Sequence, residues 1–250
     1  MAPLPLWLIL SVLLVAVLYS SVGHGGASGY LACLSLVPGS LAPTQMATTA
    51  LTLNLLVVGI GLWTFVRAGQ LSMRLMGPFV LASVPAALLG GLMPLPLRAY
   101  SLLLAAALLL AAVRLLIRPL QGAAATRPPQ WPVAIVSGAV IGWLSGVLGI
   151  GGGIFLSPLV LLLGYATPRQ AAACSACFIF ANSAAGLAGR WFHGAVAFGV
   201  WWPLVIAAAL GAWIGSRLGA GRFSSTALNR VLAIVLLIAV VKLLRVGIAS

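Results

Sequence analysis

The sequence predicts an all-α polytopic membrane protein built from two similar halves. Of its 250 residues, 63% are hydrophobic and only 5% are charged, and the mean hydropathy is +1.22. A soluble domain carries about 25% charged residues. Apolar stretches approaching the 20 or so residues that cross a bilayer recur along the chain. A glycine-rich motif also occurs twice, about half a chain apart. These observations indicate a duplicated, multi-helix membrane protein.

Ten apolar segments follow one another along the chain. They fall at 4–20, 29–38, 46–66, 76–93, 99–117, 132–148, 153–164, 171–189, 196–215 and 228–247. The one notable polar linker, QGAAATRPPQ, lies at the middle of the chain. We therefore predict a first transmembrane repeat at 1–120, a linker at 121–131 and a second transmembrane repeat at 132–250.

The two halves repeat each other at an offset of roughly half the chain. The residues that correspond are Gly23, Gly25 and Gly26 with Gly149, Gly151 and Gly152, then Pro43-Thr44-Gln45 with Pro168-Arg169-Gln170, and Asn54 with Asn182 to within a helical turn. Each half thus consists of an apolar segment, a glycine break, a short apolar segment, a loop with P-x-Q, and three spanning helices.

The glycine motifs VGHGGASGY (22–30) and LGIGGGIFL (148–156) interrupt hydrophobic segments. Glycine costs a helix about 1 kcal/mol relative to alanine, so the repeated runs need a reason. Duplicated, glycine-broken helices are typical of secondary transporters, and they place half-helix N-termini near the bilayer midplane. Such N-termini carry a partial positive charge and bind anions. We predict that the two clusters meet as an anion site; the alternative is close helix packing through small residues.

The segments around the first glycine motif, 4–20 and 29–38, are too long together for one crossing and short for two. A hairpin that enters the membrane and returns fits best, and the same holds for the second half. If each hairpin returns to its own side, nine cationic residues lie on one face of the membrane, and Arg98, Arg190, Lys242 and Arg245 lie on the other. If each hairpin is counted as a single crossing, eight cationic residues lie on one face and five on the other. The larger bias, which the positive-inside rule favours, predicts two halves inverted relative to each other.

The charged residues are 13 Lys and Arg, with no Asp or Glu. This composition excludes paired-carboxylate catalysis, a carboxylate cage for a divalent metal and a carboxylate proton relay. The cations stand singly at the ends of apolar segments, which is a positive-inside pattern and not a nucleic-acid-binding face. No cofactor is predicted. Cys33, Cys174 and Cys177 are interpreted as small packing residues, with Cys174 and Cys177 as a redox or metal-binding C-x-x-C pair as the alternative.

The predicted substrate-binding residues come from the glycine motifs and the helices that follow them. They are Gly25, Gly26, His24, Gln45, Thr49, Asn54, Gly151, Gly152, Gly153, Gln170, Ser175 and Asn182. The asparagines could instead form interhelical hydrogen bonds, and the glutamines could cap helices. His24 is either a donor or proton carrier at the site, or a satisfied buried histidine.

Other polar residues receive structural interpretations. The hydroxyls of Thr48, Thr49, Ser175 and Ser183 are expected mostly to bond their own backbone, with one or two facing a cavity. Arg190 and His193, in RWFHG, are expected to anchor a helix end at the membrane interface. Arg169 is expected to be a positive-inside charge.

The chain resembles the TauE/SafE family of sulfite exporters and related permeases. The resemblance rests on VLGIGGGIFLSPLVLLLG (147–164) and TPRQAAACSACFIFANSAAG (167–186), repeated more weakly as VGHGGASGY and APTQMATTALTLN (42–54). It covers nearly the whole chain and implies inner-membrane transport of sulfite, of sulfonates such as sulfoacetate, or of related small acids. His24 and Ser28 depart from the usual first glycine motif, which bears on the substrate more than on the fold.

The leading hypothesis is a transporter, not an enzyme, that moves a small sulfur-containing anion by alternating access. With the inside negative, export of a monoanion gains about 2.3 kcal/mol per 100 mV, so it needs no coupling ion. One alternative is another small organic anion. A second is an intramembrane serine protease, in which Ser28 of the G-x-S-G sequence is the nucleophile and His193 the base. The expected partners are the anion and the lipid bilayer, and the sequence leaves a homodimer open.

Overall fold

The structure, a computed structural model, describes residues 4–21, 25–37, 41–116, 127–192, 202–218 and 225–249. These ranges hold ten helices and no strand, in the order of the ten predicted segments. They are α1 (Leu6–Ser21), α2 (Ala27–Ser35), α3 (Pro43–Arg67), α4 (Met73–Leu92), α5 (Leu97–Leu116), α6 (Trp131–Leu148), α7 (Gly153–Leu162), α8 (Pro168–Trp191), α9 (Trp202–Leu218) and α10 (Ser225–Ala249). Five of them, α3 to α6 and α8, are long and apolar enough to cross a membrane, which confirms an all-α, multi-pass protein.

Both glycine motifs break the helical path, as predicted. The first break separates α1 from α2, and Gly26 precedes α2 with a φ of 87°. The second separates α6 from α7, and Gly152 precedes α7 with a φ of 80°. These left-handed conformations are open to glycine at no steric cost. His24, predicted to belong to the first break, lies outside the described residues.

The second broken pair, α6 and α7, is a hairpin. The backbone N–H of Arg127, just before α6, donates to the carbonyl oxygen of Gly164, just after α7, at 3.4 Å. The pair therefore returns to the side on which it starts, which the lengths of its segments predict. Its α7 has 10 residues, or about 15 Å of helix, so it cannot cross the membrane by itself.

Each glycine-broken helix packs along a helix of the other half. The α4–α6 contact is so close that a methyl group on Gly138 would lie 2.5 Å from the Phe79 carbonyl oxygen, and Gly142 and Gly146 meet the next turns of α4 in the same way. Gly211 of α9 likewise lies against the backbone of α1. The alternative interpretation of glycine, close helix packing, applies to these residues, and Gly149 at the second break also lies against the backbone of Ala47 on α3.

Two further pairs join the halves. The α3 and α8 helices pack against each other in the middle of the molecule. The α5 and α10 helices run antiparallel, because Gly247 near the end of α10 lies against Leu102 and the Arg98 carbonyl near the start of α5.

Candidate functional site

The two glycine breaks lie on either side of one side chain, that of Asn54 at the middle of α3. A Cβ atom on Gly25 would collide with the amide oxygen of Asn54, and one on Gly151 would collide with its amide nitrogen. Asn54 itself is 1% exposed. Glycine is therefore required at both positions for the backbones of the two breaks to approach the amide.

The side-chain amide of Asn54 forms a hydrogen bond to α8. Its nitrogen donates to the Ser183 hydroxyl at 3.0 Å. Ser183 and its neighbour Asn182 are fully buried. Asn182 lies one turn beyond Ile179, the α8 residue against which Gly151 and Gly153 pack, so these residues share one face of the helix.

Several polar atoms around this junction have no hydrogen-bond partner. They are both amide atoms of Asn182, the amide oxygen of Asn54 and the hydroxyl of Thr48, all buried. An unpaired buried polar group costs about 1–3 kcal/mol, and each such group in a folded protein needs an explanation. Donors and acceptors left open beside two broken helices are groups that a polar ligand could satisfy. Thr48 also departs from the expectation that these hydroxyls bond their own backbone.

The N-terminus of α7 packs directly on α8. A Cβ atom on Gly152 would lie 2.9 Å from the Phe178 ring, and Gly153 contacts Ile179 and the backbone of Ser175. The Ser175 hydroxyl lies 2.7 Å from that of Ser157 on α7. Ser175 therefore links α8 to α7 through its side chain. Thr49, the remaining predicted hydroxyl, is buried on α3.

The carbonyl end of α6, just before the second break, is held by two side chains from other helices. Arg190 Nη2 donates to the carbonyl oxygens of Gly146 at 2.6 Å and Val147 at 2.8 Å, and the Tyr100 hydroxyl donates to that of Leu148 at 3.1 Å. The last carbonyls of a helix have no partner within it. Because this end is buried away from water, side-chain donors replace the solvent.

The interpretation of Arg190 as an interfacial anchor is therefore wrong. Arg190 is only 4% exposed, while its neighbour Trp191 is 68% exposed. The guanidinium turns inward because the buried carbonyls of α6 lie within its reach. His193, the other residue in that expectation and the proposed protease base, lies outside the described residues.

The two predicted glutamines lie away from the junction, at the starts of α3 and α8. Gln45 Oε1 accepts the backbone N–H of Ala42 at 3.2 Å, and Gln170 Oε1 accepts the backbone N–H of Thr167 at 3.0 Å. The Thr167 hydroxyl in turn accepts the N–H of Gln170, which completes a capping box. Of the two interpretations left open for these residues, the structure supports the cap.

Gly26, the residue that precedes α2, packs against two tyrosines, Tyr19 and Tyr30. The Tyr19 hydroxyl lies 2.8 Å from that of Ser28, and both side chains are buried. The hydroxyl proposed as a protease nucleophile is therefore paired with a tyrosine. A tyrosine is a weak base at neutral pH, so this contact does not activate Ser28.

The three cysteines are free thiols. Cys174 and Cys177 form no disulfide, and Cys174 donates weakly to the Ser72 carbonyl at 3.9 Å. Within the described ranges, no group of three His, Cys, Asp or Glu side chains could hold a metal ion.

Sequence reasoning missed Tyr100, Tyr19 and Ser157, and misplaced Arg190. All four form hydrogen bonds between different helices at or beside a broken helix. One signal was available. A helix that ends inside the membrane leaves carbonyls without partners, and the glycine break after Leu148 predicts donor side chains from other helices at that end.

Comparisons with known proteins identify a family of membrane transporters. The family model described as "Sulfite exporter TauE/SafE" matches residues 8–243. A "Probable membrane transporter protein y4hK" of Sinorhizobium fredii is 36% identical over 236 residues, which cover 92% of this chain and 94% of the relative. "Probable membrane transporter protein YunE" of Bacillus subtilis is 33% identical over 124 residues, 48% of this chain and 44% of its own. No solved structure matches.

The family match extends over both glycine breaks, the α3–α8 pair and most of α10. The relative from Sinorhizobium fredii corresponds to this chain over nearly its full length, and its name describes a membrane transporter. The chain belongs to the TauE/SafE sulfite exporter family of membrane transporters.

Proposed function

We propose that this transporter carries a small sulfur-containing anion, namely sulfite, sulfoacetate or another organosulfonate, and that it binds the anion at the junction of the two glycine breaks. The observation that carries the proposal is Asn182. Its side chain is fully buried beside the breaks, yet neither its amide nitrogen nor its amide oxygen has a partner. An anion at this point would accept the amide N–H groups, and a protonated oxyanion would also donate to the free oxygens.

The charge of the protein favours an anion over a cation. The whole sequence contains no Asp or Glu, so no carboxylate can compensate a buried cation. The N-termini of α2 and α7 begin at the two breaks, after Gly26 and Gly152. Each contributes a partial positive charge and backbone N–H groups that no carbonyl of its own helix accepts.

The direction that this composition favours is export. Because the inside of a cell is negative, a monoanion leaves with a gain of about 2.3 kcal/mol per 100 mV. Uptake against that potential would need a coupled ion, and a chain without carboxylates lacks the usual group for carrying one. Export along the potential requires no such group.

The mechanism we propose is alternating access by two inverted halves. The antiparallel pairing of α5 with α10 supports the inversion, as does the packing of each broken helix on the other half. Rocking of one half against the other would move the α3–α8 contact and expose Asn182 to one side and then the other. The boundaries 1–120 and 132–250 remain our proposal for the two moving units.

Flux into reconstituted liposomes tests this function. We expect sulfite and sulfoacetate to cross faster than simple carboxylates, and an imposed potential to drive them from the negative to the positive side. Protein-free liposomes provide the baseline. Faster flux of a carboxylate would reassign the substrate to another small organic anion. No anion flux at all, or flux without movement of charge, would contradict the proposal.

A further inference from the structure

Among the cationic side chains that the structure describes, Arg190 and Lys242 point inward, although no acidic residue exists to pair with them. Arg190 is 4% exposed, and its Nε has no hydrogen-bond partner. Lys242 on α10 is partly buried, and its Nζ donates to the carbonyl oxygen of Val37, just after α2, at 3.0 Å. Backbone carbonyls solvate both charges in part but do not neutralise them.

Lys242 lines a small internal cavity of about 20 Å³, together with Ser35, Tyr100 and Ser101. The Ser101 side chain is 1% exposed, and its hydroxyl has no partner. A cavity of this size holds about one water molecule. It holds the cationic group of Lys242 among mostly apolar side chains, and it is too small in this structure for an oxyanion such as sulfite.

Tyr100 connects this cavity to Arg190. Its side chain lines the cavity beside Lys242, and its hydroxyl donates to the carbonyl of Leu148. The two preceding carbonyls of the same helix end accept from Arg190. The second glycine break follows immediately, at Gly149. A continuous series of contacts thus runs from Lys242 through Tyr100 to Arg190 and the break.

We infer that the Lys242 cavity, Tyr100 and Arg190 form the route by which the anion passes between the glycine junction and one face of the membrane, and that Tyr100 is its gate. The inference rests on the proposed function. In this structure the gate is closed, because the Tyr100–Leu148 hydrogen bond spans the route and the cavity beyond is water-sized. Opening requires that bond to break and α5 to separate from the end of α6.

The inverted arrangement proposed above places this route on the face with fewer cations, which the positive-inside rule assigns to the outside. For an exporter it is therefore the exit. The exposed cations on the opposite face would attract anions only at the protein surface. Lys242 and Arg190 would attract them inside the route. A positively lined passage with low-dielectric walls raises the local concentration of anions.

Thiol labelling tests the route without requiring a known substrate. The reporter is Ser101→Cys in a chain whose three native cysteines are replaced by alanine, reconstituted in liposomes and labelled with anionic or cationic methanethiosulfonate reagents. After correction for intrinsic reactivity, we expect the anionic reagent to react at least about tenfold faster than the cationic one. Equal rates would overturn the inference.

Charge variants provide the matched comparison. Lys242→Gln should remove most of the preference for the anionic reagent, and Lys242→Arg should keep it. Arg98→Gln removes the same charge from an exposed position at the start of α5 and should leave the preference unchanged. Equal effects of Lys242→Gln and Arg98→Gln would show that only the general surface charge acts, and would overturn the inference.

The gate has its own reporter. Ser145→Cys lies in the last turn of α6, beyond Tyr100, at a fully buried position. Tyr100→Phe keeps the ring but removes the hydrogen bond, and should raise labelling at this position about fivefold, the equilibrium value of one ordinary hydrogen bond. Labelling at Ser101→Cys, on the outer side of that hydrogen bond, should rise less than labelling at Ser145→Cys. An unchanged rate at Ser145→Cys would overturn the gate.

The two proposals fail in different ways. Anion-selective labelling without sulfite or sulfonate flux would contradict the proposed substrate and leave the route intact. Normal flux with equal labelling by the two reagents would contradict the route and leave the substrate intact.

Discussion

The amide nitrogen of Asn54 on α3 donates to the hydroxyl of Ser183 on α8 at 3.0 Å, across 129 residues of sequence. This bond joins the two halves at the point where both glycine breaks contact the same amide. The side chains at this junction are polar but uncharged, so the positive charge that the proposed anion site requires would come from the N-termini of α2 and α7 and from Arg190 near the end of α6. The residues that we propose bind the anion therefore also pack the helices together.

Gly25→Ala should abolish transport. The new Cβ would occupy the position of the Asn54 amide, so the first break must move away from the junction. The matched control is Gly61→Ala on α3, where an added Cβ meets nothing within 4 Å and alanine favours the helix by about 1 kcal/mol. Anion flux into liposomes measures both variants. Wild-type flux in Gly25→Ala would show that the close approach is dispensable.

Ser28→Ala separates the transporter from the protease. The change removes the hydrogen bond to Tyr19, which should lower stability by about 1 kcal/mol or less within a membrane protein. Anion flux should stay within about twofold of wild type once the amount of folded protein is matched, since less than about 0.5 kcal/mol separates such rates. A proteolytic activity that is present in the wild type and lost in this variant would contradict the assignment.

Gln170→Ala and Thr167→Ala should act as cap variants. Each should lower the free energy of unfolding by about 1 kcal/mol, and the double variant should lose little more than either alone, because the two side chains form one capping box. The KM for the anion should not change. A raised KM for the anion in Gln170→Ala, but not in Thr167→Ala, would indicate that Gln170 contacts the anion and would contradict a purely capping role.

Gly142→Val tests the contact between the halves. Its Cβ would lie 2.6 Å from the Ser83 Cα atom on α4, so α4 and α6 must separate. Overpacking typically lowers the free energy of unfolding by about 1–3 kcal/mol. We expect a loss near the upper end of this range, because the added side chain would clash with backbone atoms. Gly77→Val, on α4, is the control, because nothing lies within 4 Å of its added Cβ. Thermal unfolding in detergent should distinguish them; equal midpoints would contradict the backbone contact.

Much of the fold follows from the sequence because hydrophobicity in a membrane is a local property. Each apolar segment, and each glycine break within it, is readable without knowledge of its neighbours. The hairpin of α6 and α7 follows from segment lengths and is confirmed by the Arg127–Gly164 contact.

The partners of single polar residues do not follow from the sequence, because they depend on which helices pair. In the sequence, Arg190 is indistinguishable from an arginine at the membrane interface. Its actual partners, the carbonyls at the end of α6, become known only when the packing of the helices is known. Asn54 becomes the centre of the junction only because α3 packs on α8. Gln45 and Gln170 show the reverse case: their repetition is explained by local capping, which any sequence with P-x-Q at a helix start can form.

The most direct test of the anion site is sulfite binding to Asn182→Leu. Leucine has the same branched arrangement of heavy atoms and removes both unpartnered amide atoms. The removal of two unsatisfied buried groups should offset the larger volume of leucine, so the variant should be as stable as the wild type or more so. We predict that titration calorimetry of the purified protein shows sulfite binding to the wild type and none to Asn182→Leu, with a thermal midpoint that is unchanged or raised. Undiminished sulfite binding by a folded Asn182→Leu protein would contradict the account.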